Sequence, residues 1–204
     1  MKIINCSKLF LLGLAIVISS GVLKPLHAQE DSQENLTQKA PMSYSGAEYA
    51  IKNKAKVILR STVDESIVIG EGSVLELQRG VYFMIYVKDI SPGPHGIHVH
   101  EFGSCEEQGK AAGGHLNPEG VKHGFFKEDG PKNAHPGDLG NIDVDDQGMG
   151  ELHRLLPGLT LDEGIFNVAG KAIILHENED DFSQPTGNAG GRIACGIIEV
   201  VKDQ

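Results

Sequence analysis

Val81-Tyr82-Phe83-Met84-Ile85-Tyr86-Val87 is a short run of β-branched, aromatic and long apolar residues, and it reads as a strand. Runs of the same kind lie on either side. Lys56-Val57-Ile58-Leu59-Arg60 and Val74-Leu75-Glu76-Leu77 precede it; Ile97 to His100, Ile142 to Val144, Lys171 to Leu175 and Ile193 to Val201 follow. Turn signals such as Ser91-Pro92-Gly93-Pro94 and Asp146-Gln147-Gly148 separate the runs. No segment keeps a helical period and no internal repeat is visible. The pattern predicts an all-β domain, an antiparallel sandwich or Greek-key β-barrel. Two long glycine-rich stretches interrupt it, Glu101–Leu139 and Glu177–Arg192. Stretches of that length without secondary structure are usually functional.

Composition agrees. Glycine supplies 26 of 204 residues, about 13% against a typical value of roughly 7%. Aromatics are 5% and tryptophan is absent, which excludes a collagen, a coiled coil and a membrane bundle. The formal charge of −10 speaks against a nucleic-acid partner, because phosphate binding depends on Lys and Arg. Nine histidines against three cysteines point towards metal.

The first 28 residues form a separate unit. Lys2 and Lys8 give a positive start, Leu9 to Val17 is apolar but for Gly13, and Leu26-His27-Ala28 precedes Gln29. This predicts a secretory signal peptide, residues 1–28, cut after Ala28. The apolar run is short for a membrane span of about 20 residues, so no stable membrane anchor is expected after cleavage. Removing Lys2, Lys8 and Lys24 with the segment takes the basic count from 18 to 15 against 28 acids, and the net charge from −10 to −13. Residues 29–50 are polar and mixed and read as a flexible leader, and residues 51–204 as the folded domain. Export also removes Cys6. Cys105 and Cys195 then remain in an oxidising compartment, where an even pair is most simply one disulfide.

Seven residues stand out as candidate metal ligands: His98, His100, His115, His123, His135, Asp138 and His176. His98 and His100 are two apart in a strand, so both rings share a face. His115, His123, His135 and Asp138 crowd one long stretch, as expected of a loop folded by a structural ion. Nitrogen and oxygen ligands without thiolate suit zinc, whereas an all-imidazole site with an open position suits copper. Two four-coordinate ions need eight ligand positions, and seven residues fill them if one imidazole bridges. Spacing alone leaves open which histidine does so.

The motifs His95-Gly-Ile-His98-Val-His100-Glu-Phe-Gly103, Gly114-His115-Leu-Asn-Pro118, Lys122-His123-Gly124, His135-Pro-Gly-Asp138-Leu-Gly-Asn141, Leu175-His176-Glu177 and Gly190-Gly-Arg192-Ile-Ala-Cys195-Gly196 occur in this order. Together they resemble the copper–zinc superoxide dismutases over roughly residues 55–201, in an exported form, periplasmic or secreted. The resemblance implies an immunoglobulin-like Greek-key barrel and dismutation of superoxide to oxygen and hydrogen peroxide, an antioxidant role outside the cytoplasm. It implies one copper per subunit on His98, His100, His115 and His176, and one zinc per subunit on His115, His123, His135 and Asp138, with His115 as the bridge. Asp180 would accept hydrogen bonds from one histidine of each set, and Arg192 would guide the anion beside copper. His95 and His153 fit no ligand position and are expected to be ordinary turn or surface histidines.

A secreted zinc hydrolase would need an open zinc position and a general base, and no HExxH occurs. A non-enzymatic metal carrier would be expected to have lost one of the seven ligands or Arg192. Cys105 follows His100 by five residues, as in bacterial periplasmic members, while the run from Pro185 to Arg192 is nearer the eukaryotic type. That mixture leaves homodimer and monomer both open. The segment from His176 to Arg192 holds Glu177, Glu179, Asp180 and Asp181 but no lysine. Substrate guidance is therefore expected from Arg192 with one or more of Lys110, Lys122, Lys127 and Lys132.

Overall fold

A computed structural model describes residues 50–202. The signal peptide expected at 1–28 and, but for Ala50, the leader expected at 29–50 lie outside the described residues. The described chain forms nine strands, β1 Asn53–Ser61, β2 Val68–Leu77, β3 Gly80–Val87, β4 Gly93–Val99, β5 Asp138–Val144, β6 Gly150–Pro157, β7 Ala172–His176, β8 Arg192–Ile197 and β9 Glu199–Val201. A single α-helical turn, α1 Phe126–Asp129, and a 3-10 turn at Lys110–Ala112 lie in the long β4–β5 connection.

Strand order is β2-β3-β6-β5-β4-β7-β8-β1, and β1 also pairs with β2, so eight antiparallel strands close into a barrel. The closed barrel resolves the choice between barrel and sandwich. The chain crosses from β3 to β4 and from β6 to β7, which is the Greek-key feature. β9 continues β8 past Ile198 along the same neighbour, β1.

Alternation drives closure. In β3 the residues Val81, Phe83, Ile85 and Val87 are buried, while Tyr82, Met84 and Tyr86 face outward. Phe83 and Ile85 meet Val57, Leu59, Ile142 and Leu156 in the core. Each such side chain contributes about 1.5–3 kcal/mol on leaving water. The sequence pattern overlooks β6, Gly-Glu-Leu-His-Arg-Leu-Leu-Pro, which lacks β-branched residues. β3 pairs with it along its whole length, and that pairing outweighs local propensity.

Candidate metal centre

Sheet register brings the candidate ligands together. His98 on β4 lies opposite Asp138, the first residue of β5, and beside Ile174 on β7. His176 ends β7 directly opposite Arg192, which begins β8. An isolated bridge joins His100 to His115, pulling the long loop back onto the end of β4. Two irregularities in the ladder fall at His98 and His176. Bulges of this kind re-aim side chains and concentrate near functional sites.

Two groups of four result. His98, His100, His115 and His176 each offer an atom within 4.8 Å of the others, and so do His115, His123, His135 and Asp138. His115 belongs to both. All seven residues are buried, none more than 6% exposed.

The hydrogen bonds decide which ring nitrogens are free. His98 Nε2 donates to Asp180 Oδ2 at 2.8 Å, His100 Nδ1 to Gly113 O at 3.0 Å and His176 Nδ1 to Gly190 O at 3.4 Å. In a neutral imidazole the opposite nitrogen then carries a lone pair. Those nitrogens, His98 Nδ1, His100 Nε2 and His176 Nε2, are buried without a partner. Unsatisfied buried polar atoms are costly, and three around one point describe a cation site. In the second group His115 Nδ1 and His123 Nδ1 lie 2.8 Å from the two oxygens of Asp138, and His135 Nδ1 lies 3.2 Å from Oδ1. The donor sets fit the metals implied by the motifs: all-nitrogen in the first group, three nitrogens and a carboxylate in the second.

Asp180 ties the groups together. Its Oδ1 accepts from His123 Nε2 at 2.8 Å, while Oδ2 accepts from His98. Gly187 packs against this carboxylate so closely that a Cβ there would overlap it. Asn141, which sequence reasoning missed, clasps the Asp180 backbone through Oδ1 at 2.8 Å and Nδ2 at 2.9 Å. His95 is a correction to the sequence reading: it is buried in β4, with Nδ1 2.9 Å from His176 O and Nε2 2.8 Å from Ser91 O. His153 is exposed and hydrogen-bonds the Tyr82 hydroxyl at 2.9 Å.

A cavity of about 200 Å³ opens beside the first group, lined by His100, His115, His176, Thr186, Asn188 and Arg192 among others. Arg192 donates to the carbonyls of Gly109 and Gly113. Those two carbonyls fix the guanidinium at the cavity wall. The four loop lysines are not among the lining residues. Cys105 and Cys195 form a disulfide, which pins the first loop to β8 three residues from Arg192.

Burial, with neighbouring imidazoles, pushes His100 down to about 2, His115 to about 4 and His176 to about 3. Burial also opposes charge on His123, but the carboxylates of Asp138 and Asp180 hold it up at about 9. Burial works against ionised Asp138 as well, yet His115, His123 and His135 keep its carboxyl well below the usual range. In metal-stripped protein the three depressed histidines protonate near 6.5 only on unfolding, so below 6.5 the unfolded chain binds more protons. His123 opposes this, its contribution being complete below 6.5 and lost as pH rises through 9. With three groups against one, the urea midpoint of metal-stripped protein is expected to be lower at pH 5 than at pH 7. An equal or higher midpoint at pH 5 contradicts this balance.

A closed Greek-key barrel whose histidine clusters share one imidazole defines a class of dinuclear metalloprotein. The sequence profile of the copper/zinc superoxide dismutase (SODC) family matches residues 68–198, and the chain belongs to that family. Superoxide dismutase 2, copper–zinc type, of Aquifex aeolicus (strain VF5) is 40% identical over 152 residues, covering 71% of this chain and 86% of that protein. Superoxide dismutase 1 of the same strain is 37% identical over 138 residues, covering 64% and 80%. Among solved structures, a SOD-like protein from Bacillus subtilis aligns with a TM-score of 0.63 at 32% identity, covering 70% of this chain and 97% of that one. The clock protein EA4 aligns at 0.65 and 32%, covering 75% and 98%. The family binds copper and zinc, and its enzymes are oxidoreductases.

Proposed function

We propose that this chain dismutates superoxide to oxygen and hydrogen peroxide outside the cytoplasm, in a periplasm or as a secreted antioxidant enzyme. His98, His100, His115 and His176 would hold copper; His115, His123, His135 and Asp138 would hold zinc. The observation that carries the reading is His115, the one residue present in both four-membered groups. Bound copper would supply one-electron redox chemistry, and zinc, which has none, would serve as a structural ion on the long loop that carries His115, His123, His135 and Asp138.

The protein's own residues then have distinct tasks. Arg192, fixed by two carbonyls, presents a permanent positive charge to a small anion in the cavity. His115 keeps Nδ1 towards Asp138 and has Nε2 to hold a proton for the departing peroxide. Asp180 fixes the tautomers and ring planes of His98 and His123. The Cys105–Cys195 disulfide supports an oxidising compartment, as does the signal peptide read at 1–28. Among the described residues no helix is long and apolar enough to cross a membrane.

The test uses purified exported protein. It is expected to begin at Gln29, carry one copper and one zinc per chain, and consume superoxide. Full metal loading without superoxide consumption would replace this reading by metal carriage. Guidance is tested in the same assay. The mature charge of −13 repels superoxide on average, yet a cleft can focus a positive field locally. Removing Arg192, or neutralising Lys110, Lys122, Lys127 and Lys132 singly, is expected to lower the rate and flatten its salt dependence, because screening at about 0.1 M acts over about 10 Å. Unchanged rates and slopes in all four lysine variants would leave Arg192 and the metals as the only guides.

A further inference from the structure

His123 is gripped from three directions by one short stretch, Asp180 to Gln184. Asp180 takes its Nε2, and the Gln184 side chain takes both backbone groups, donating to His123 O at 2.7 Å and accepting from His123 N at 3.1 Å. Phe182 flanks the ring in an offset stack, with centroids 6.4 Å apart and planes 24° from parallel. Phe182 itself adopts φ 57, a left-handed conformation uncommon outside glycine, so its neighbours must hold it there.

The stack continues away from the metal site. Phe125 lies on Phe182 at 5.4 Å and 30°, and the Arg154 guanidinium sits 5.0 Å above Phe125. Arg154 Nε is buried without a hydrogen bond, so the aromatic face is the partner seen for that part of the guanidinium. Gly140, φ +88, lets Phe125 lie flat on β5, where a Cβ would come within 2.9 Å of its ring. The result is a column from strand β6 to a candidate zinc ligand: Arg154, Phe125, Phe182, His123.

We infer that Phe182 is a positioning residue for the second cluster, holding the His123 ring in its ligating plane with Phe125 and Arg154 as backing. Offset aromatic stacking is directional, so a planar side chain at 182 restricts ring rotation in a way an aliphatic one cannot. Groups that orient a ligand typically change metal affinity 10–100-fold when lost. The inference rests on the zinc assignment proposed above.

The test uses the full mature chain, loaded with zinc and in parallel with cobalt(II) in place of zinc. Phe182→Leu is expected to lose zinc to a competing chelator about tenfold faster and to shift the visible cobalt bands, while Phe182→Tyr restores both. The metal-free unfolding midpoints of the two variants are expected to agree, which separates ring positioning from packing. A Leu variant matching the unsubstituted protein in release and spectrum, or a Tyr variant failing equally, overturns the inference. Should Phe182→Leu not fold, Phe125→Leu, one ring further out, carries the same comparison. If the unsubstituted protein takes up no ion, the zinc assignment and this inference fall together; uptake without a difference between variants overturns this inference alone.

Discussion

His115→Ala is expected to lose zinc and rapid dismutation together, with a rate loss of roughly 10²–10⁴-fold. Among the described residues no other offers an atom to both four-membered groups, so its removal leaves three candidate ligands in each. It also deletes the nitrogen assigned to hold the proton for peroxide. Asp138 would lose one of its two 2.8 Å partners and stay buried with His123 and His135. Metal analysis with superoxide consumption on the same preparation checks this. Near-normal activity with both metals retained would show that the bridge is assigned to the wrong residue.

The second large effect concerns the disulfide. Cys105 and Cys195 are 90 positions apart, and in the chain-entropy model closing a loop of that length contributes about 4–5 kcal/mol before strain. The Cys105→Ser, Cys195→Ser double variant is expected to lose stability of that order in urea unfolding of metal-free protein. Non-reducing mass analysis of the unsubstituted protein should show the single bond. The bond also reaches the cavity: the Cys105 carbonyl accepts from Gly109 N, and Gly109 O accepts from Arg192. A slower, less salt-sensitive reaction is therefore expected to accompany the stability loss. An unchanged urea midpoint would mean that strain or residual unfolded-state structure cancels the loop term.

How much of this was legible before folding differs by element. β3 declares itself because β-branched, aromatic and long apolar side chains fill its seven positions between turn signals, a composition carried by the strand alone. β6 does not. Its leucines, glutamate and arginine favour helix in isolation, and pairing, chiefly with β3, makes it extended. The ligand set is legible as residue types in ordered motifs, each only a few residues long. His95 was misread because nothing in its neighbourhood announces that the carbonyl of His176, 81 positions on, will accept a hydrogen bond from its Nδ1. Phe125, Phe182 and Arg154 looked like unremarked loop and strand residues for the same reason.

By itself, then, the sequence determined the β class and the metal-binding chemistry, since each depends on residue type and short-range spacing. Tertiary structure decided that the sheet closes, and it sets the candidate ligands in two groups sharing His115 with Asp180 bonded to both, an arrangement that residue spacing leaves open and that only the family resemblance implied. The physical reason is chain distance. Asp180 meets His123 across 57 positions and His98 across 82, and such pairs are fixed only when strand register and barrel closure set the ends of β4, β5, β7 and β8 side by side.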